Sequence, residues 1–283
     1  MAAHEIKADD TLNKINETFR IVDISNRIVT ATNEENAKQI HETRNFDRVP
    51  IKNENGNIEE YYDSNATGNN NIIKINTSDI ISESTGILET LTHISEEGFY
   101  FVSTDNKITH IVHYSDLNNP IVLPGIYTLI AYCEIGIRKY LKCKNICGNT
   151  ESEIIKFLLD MNDKIQHLNV KKDKKLKIVC AVNKFTSDKR KGIETNVLDD
   201  LYFYDELILF RELNSMLNDD RAIKFKESVN LEADNIILFR NLRNNIMHSN
   251  YQIVKKKNQD IEELATFIKT CQKIVSYTER ISE

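Results

Sequence analysis

Arg243, Asn244 and His248 are the residues of this chain whose types and spacing could do chemistry together, within Leu238-Phe-Arg-Asn-Leu-Arg243-Asn244-Asn-Ile-Met-His248-Ser-Asn. An imidazole that titrates near neutrality can take a proton from a hydroxyl or return one to a leaving oxygen. A guanidinium stays charged and makes planar, paired hydrogen bonds to phosphate oxygens as negative charge builds on them. RNA carries its own nucleophile, the 2′-hydroxyl, so such a pair needs no metal-bound water to cut it. Asn244 could orient the pair, bind phosphate or cap a helix. Purely structural roles stand beside these: Arg243 in a surface salt bridge, and His248 at a helix C-terminus, where a cationic ring is favoured.

The element that must position them is a helix over about 231–248, with Ile236, Phe239, Leu242 and Ile246 on one stripe. Five positions along a regular helix turn a side chain by about 140°, so one copy does not aim Arg243 and His248 the same way. Ser249-Asn250 can end the helix at that point, and two such ends packed about a two-fold axis would bring two Arg and two His into one cleft. Further helices are expected over 125–142, 152–167, 196–217 and 260–282, a bundle of about five. After Gly125 the chain has no proline, and only Gly136, Gly148 and Gly192, which favours helix throughout.

The Arg–Asn–x–x–x–His series late in an all-α bundle resembles the HEPN superfamily. That resemblance implies a metal-independent endoribonuclease acting as a homodimer, with a composite site in which Arg243, His248 and Asn244 take part. It places such proteins in toxin, phage-defence and stress systems.

The chain before Pro120 has a different texture. A short helix over 33–44, a strand Arg48–Lys52, the turn Asn53-Glu-Asn-Gly56 and a strand near Ile58–Tyr62 are followed by the same cycle. In the second pass a helix over 82–94 precedes a strand 98–103, the turn Thr104–Lys107 and a strand 108–112. Helix, strand, turn and strand, used twice, is an internal repeat.

The segments Phe46-Asp-Arg-Val-Pro-Ile-Lys-Asn-Glu-Asn-Gly-Asn-Ile and Gly98-Phe-Tyr-Phe-Val-Ser-Thr-Asp-Asn-Lys-Ile-Thr-His resemble a tandem pair of CBS domains. Such pairs bind adenine-containing nucleotides, and an Asp of their motif holds ribose hydroxyls. Here the motif position is kept by Asp116, while His113 and His110 replace its hydroxyl residue and its glycine; the first copy has lost it. The resemblance implies a nucleotide site using Asp116 and His113. An Asp beginning a helix is also a common N-cap.

The expected fold is therefore an α+β CBS-like pair over 1–120 followed by an all-α HEPN-type bundle over 121–283. Charge follows the same division. Residues 1–120 hold 10 basic and 20 acidic residues, net −10, and residues 121–283 hold 27 and 23, net +4. A polyanion such as RNA would meet the second half, where Lys171-Lys-Asp-Lys-Lys-Leu-Lys177, Lys184, Lys189, Arg190 and Lys191 form the densest basic stretch. Lysine clusters are also commonly solvated faces. The five cysteines, Cys133, Cys143, Cys147, Cys180 and Cys271, have no disulfide-framework spacing, and no second Cys/His pair completes a metal site beside Cys143 and Cys147. No metal is expected.

No run approaches 18 apolar residues, and the first residues lack the basic-then-apolar order of a secretory leader, so a cytoplasmic protein without membrane contact is expected. Glycine-rich phosphate loops, Gly-x-Ser-x-Gly and His-Glu-x-x-His are all absent. The expected function is an endoribonuclease gated by an adenosine-containing ligand. The alternative is a non-catalytic nucleotide-sensing or dimerisation adaptor.

Overall fold

The structure is a computed structural model, and it describes residues 8–66, 70–143, 150–167, 177–216, 220–229, 231–248 and 257–281. It is a mixed α+β protein, with two small sheets among the described residues. The chain divides into two compact units, one built on Lys14–Gly125 with Tyr251–Ala265, the other on Ile126–Asn250 with Met1–Asn13 and Thr266–Glu283. The division falls at Gly125 rather than at Pro120. It lies inside a helix because Pro124 occupies a first turn, where a missing N–H costs no hydrogen bond.

Helix α1 (Ala8–Thr18) is divided after Asn13, and its Lys14–Thr18 part leads to strand β1 (Asn26–Arg27) of the first unit. Helix α2 (Glu34–Arg44) starts where the Asn33 side chain accepts the Asn36 N–H at 2.8 Å, and stops at Asn45, whose φ of 57° is left-handed. Strands β2 (Arg48–Lys52), β3 (Ile58–Asp63) and β4 (Ile72–Lys74) form an antiparallel sheet in that order. Strand β5 (Ile80–Ser82), helix α3 (Ile87–Glu97), and strands β6 (Phe99–Thr104) and β7 (Lys107–His113) follow, in a sheet ordered β1-β7-β6-β5. The helix expected over 82–94 begins only at Ile87, because Ile80–Ser82 pairs in parallel with β6.

The repeat reaches into the register. Ala31 bridges Ile51 in parallel, as Ile81 pairs with Val102. In the first hairpin Ile51 faces Glu60 and Lys52 faces Ile58; in the second Val102 faces His110 and Ser103 faces Ile108. Each hairpin thus carries a one-residue bulge at the corresponding place, with Glu59 and Thr109 as the extra residues. The second turn closes on Asp105 and Asn106, whose φ values of 49° and 63° are the paired left-handed conformation that suits strand twist.

The second unit takes α4 (Val122–Cys143) from Ile126 on, α5 (Glu151–His167), α6 (Ile178–Arg190), α7 (Phe203–Met216), α8 (Asp220–Ser228), α9 (Ala233–Met247) and α10 (Lys257–Ile281) from Thr266 on, with the Ala8–Asn13 part of α1. The single helix expected over 196–217 is instead a 3-10 turn, Val197–Asp200, and then α7, parted by Leu201 in extended conformation. Asn196 caps the turn by accepting the Leu198 N–H at 3.0 Å, and Asp205 accepts the Lys177 N–H at 3.2 Å. Helices α6 and α8 were not anticipated, although Ile178, Ala181, Val182 and Phe185 form an ordinary inward stripe.

Helix α7 is the centre of the bundle. All eight residues from Phe203 to Phe210 are buried, so Asp205 and Glu206 lie in the interior. Phe210 meets Tyr140 at 5.1 Å between ring centroids, and the Tyr140 and Tyr277 hydroxyls both donate to Asn214 Oδ1, at 3.1 and 2.8 Å. Helices α4 and α10 meet closely at Gly136, where a β-carbon would stand 2.4 Å from Thr278 Oγ1. Thr278 is 1% exposed and its hydroxyl donates to Ile274 O at 2.9 Å, so it cannot swing aside. Gly136→Leu is expected to destabilise the protein by about 1–3 kcal/mol, measured by urea unfolding. A change within 0.5 kcal/mol, about what a neutral surface substitution gives, would disprove this close approach.

Candidate active site

Helix α9 turns Ile236, Phe239, Leu242 and Ile246 into the core, which sends Arg243, Asn244 and His248 to its outer side. Arg243 is half-buried, while Asn244 and His248 are exposed. The helix ends at Met247, and His248 is its C-cap, donating its backbone N–H to Asn244 O at 3.0 Å. Among the described residues the His248 ring makes no hydrogen bond. Arg243 and His248 are therefore not joined within one chain, as their spacing implies.

Arg243 is held from behind. Its Nε donates to Glu134 Oε1 at 3.1 Å, and Nη1 reaches Asn244 Oδ1 at 3.5 Å. Glu134 Oε2 lies 3.5 Å from Arg138 Nη2, one turn further along α4. Arg138 Nε donates to Glu206 Oε1 on α7 at 2.5 Å, and its Nη1 lies 3.9 Å from Asp199. The result is a row of alternating charges, Arg243–Glu134–Arg138–Glu206, running from the surface to the centre of the bundle.

Glu206 is fully buried and its Oε2 has no hydrogen-bond partner among the described residues. Burial pushes its carboxyl up to about 8, a rise that Arg138 reduces and Glu134 adds to. Burial works against the Arg138 charge as well, but Glu206, Glu134 and Asp199 together hold its guanidinium above the ordinary value. The cost of burying these charges is offset only by their mutual contacts. A guanidinium fixed through Nε keeps terminal nitrogens for an outside ligand, and a rigid fork of this kind suits phosphate oxygens.

Sequence reasoning missed Glu134, Arg138 and Glu206. The signal available was a Glu and an Arg four apart in an otherwise apolar helix, and a Glu inside the apolar run Leu201–Leu213. Both structural roles considered for the motif are present in the geometry: Arg243 has an ion-pair partner and His248 caps α9.

Asp116 and His113 sit elsewhere, at a 3-10 helix spanning Tyr114–Asn118. Asp116 Oδ2 accepts the His113 N–H at 2.8 Å and Oδ1 accepts from Asn26 Nδ2 at 3.0 Å. Burial raises the Asp116 carboxyl, and these two bonds oppose the rise. His113 Nδ1 lies 3.2 Å from Ser115 Oγ, and its ring lies 4.2 Å from that of Tyr114. The N-cap of this helix is His113, not Asp116, which stands third in it and closes a capping box by accepting the His113 N–H.

Residues 168–176, which hold Lys171, Lys172, Lys174 and Lys175 of the basic stretch, lie outside the described residues. Lys184 pairs with Asp200, Lys189 with Glu151 at 2.7 Å and Lys191 with Asp188 at 3.6 Å. Cys133 and Cys271 are buried against one another and Cys180 is exposed. The Cys143 side chain and Cys147 lie outside the described residues. Among the described residues no cluster of His, Cys, Asp and Glu could hold a metal ion, and no helix is long and apolar enough to cross a membrane.

No protein-family model, curated protein or solved structure matches this chain.

Proposed function

We propose that this protein is a metal-independent endoribonuclease that works as a homodimer, of the HEPN type its motif resembles. The observation that carries the reading is Arg243, fixed through Nε by Glu134, five residues ahead of an exposed His248 at a helix end. His248 removes the proton of a 2′-hydroxyl, whose oxygen attacks the adjacent phosphorus. The bond to the 5′-oxygen breaks and that oxygen takes a proton from water, so the step needs one His248 and one Arg243, from opposite chains. The products are a 2′,3′-cyclic phosphate and a 5′-hydroxyl. Arg243 neutralises the charge that builds on the non-bridging oxygens. Asn244, exposed beside Arg243, orients the guanidinium through its amide oxygen.

Self-association has a surface to use. Tyr132 and Ile135, three apart on α4 and flanking Glu134, are 36% and 44% exposed. In this reading the CBS-like unit senses an adenosine-containing ligand and shifts the dimer between two geometries, which requires unequal affinity for the two. A role in a toxin or phage-defence system accords with such an activity.

The adaptor reading is favoured by one observation, that Arg243 and His248 each have a structural role without RNA. Mixed dimers separate the two readings. Arg243→Lys chains mixed with His248→Ala chains should regain RNA cleavage that neither variant shows alone, because each mixed dimer holds one intact Arg–His pairing. Full activity from a monomeric form would contradict the shared site.

A further inference from the structure

The unit built on Lys14–Gly125 contains an open cavity of about 440 Å³, lined among others by Arg27, Lys52, Glu83, Thr104, Thr109 and His110. It lies where both bulged hairpins meet: Ile58 and Ile108, which hold corresponding places beside the two bulges, both contribute to its wall. The bulge at Thr109 is what lets two consecutive residues, Thr109 and His110, line one cavity, since neighbours on a regular strand face opposite sides.

Its charge is unlike that of its surroundings. The first 120 residues are acidic overall, yet Glu83 is the one carboxylate among the residues lining this cavity, against Arg27, Lys52 and an imidazole. Arg48, Arg138, Arg211 and Arg243 each have an acidic partner. Arg27 and Lys52 have no ion-pair partner among the described residues. Arg27 of β1 stands directly opposite His110 of β7, which places two basic groups side by side on one face.

The polar wall is ordered. The Thr104 hydroxyl donates to Glu83 Oε2 at 2.6 Å. Having spent its only proton, Thr104 must accept from Thr109 at 3.0 Å, a closer partner for that hydroxyl than Val102 O at 3.5 Å. Thr109 then accepts from His110 Nδ1 at 2.9 Å. This direction of donation places the ring proton on Nδ1 and leaves Nε2 for a ligand.

We propose that this cavity, and not the neighbourhood of Asp116, is the small-molecule site of the unit, and that it takes a soluble phosphate monoester. Arg27 and Lys52 hold the phosphate dianion, and His110, oriented through the Thr109–Thr104–Glu83 chain, accepts a hydroxyl proton of the organic part through Nε2. The isoleucine wall accepts the organic part, so the site is built for more than a bare ion. Asp116 has both carboxylate oxygens engaged by its own chain. The proposal deepens the sensing role given above and rests on it only for its consequence; binding is read without cleavage, so the two fail separately.

The test is calorimetric titration of the full-length protein with ribose 5-phosphate, with ribose and inorganic phosphate as controls. Ribose 5-phosphate should bind, ribose should not, and inorganic phosphate should bind more weakly. Arg27→Glu and Lys52→Glu change exposed side chains, and each should weaken binding about tenfold or more while the melting temperature without ligand stays put. Asp116→Asn should leave the affinity unchanged. Absence of binding, affinity indifferent to both charge reversals, equal affinity for inorganic phosphate, or loss of binding in Asp116→Asn would each overturn the proposal.

Discussion

His248→Ala is expected to lower RNA cleavage by about 10²- to 10⁴-fold, the range that a positioned acid or base supplies. The same change should move stability by no more than about 0.5 kcal/mol, because the ring is exposed and bonds to nothing among the described residues. Arg243 needs a gentler substitution. Its removal would leave Glu134, whose side chain is 14% exposed, with Arg138 as its remaining cation at 3.5 Å. Arg243→Lys keeps the charge and the ion pair but loses the planar fork, so activity should fall while folding and dimerisation persist. Equal loss of folding and activity in His248→Ala, seen by circular dichroism alongside the cleavage assay, would move His248 from chemistry to architecture.

Arg138→Ala should be the most destabilising single change in the row of charges, by about 3–5 kcal/mol, because it strips a fully buried carboxyl of its partner. Protonation softens the effect near neutral pH, since burial pushes Glu206 up to about 8, but a neutral carboxyl without a hydrogen-bond partner is still costly inside a core. The double change Arg138→Met with Glu206→Leu should recover most of the loss, as buried ion pairs can be exchanged for apolar side chains of similar volume at little cost. Urea unfolding of both variants checks this. A loss below about 1 kcal/mol for Arg138→Ala, the worth of an exposed pair, would mean that water reaches Glu206.

What could be read from the chain was local. The stripe Ile236, Phe239, Leu242 and Ile246 fixes which side of α9 is inward, and hence that Arg243, Asn244 and His248 face out. The two hairpins were marked by their turn residues. What could not be read depends on distant partners. Asp116 meets Asn26, 90 positions away, and Arg243 meets Glu134, 109 positions away. The break before α7 falls at Leu201, and Asp205 in the first turn of α7 accepts the Lys177 N–H from the start of α6, a contact that no helical periodicity contains. The cavity beside His110 follows from a one-residue slip in β-pairing, which reverses the facing of a side chain without changing the apolar pattern that announces the strand.

The central claim is that this fold cuts RNA with its own side chains. The most direct measurement is the chemical identity of the new ends when the purified protein meets a defined RNA in excess EDTA, read by mass spectrometry. The account predicts a 2′,3′-cyclic phosphate (or the 3′-phosphate it hydrolyses to) paired with a 5′-hydroxyl, and neither product from His248→Ala protein. A 5′-phosphate end, a strict need for a divalent cation, or intact RNA after prolonged incubation would contradict it.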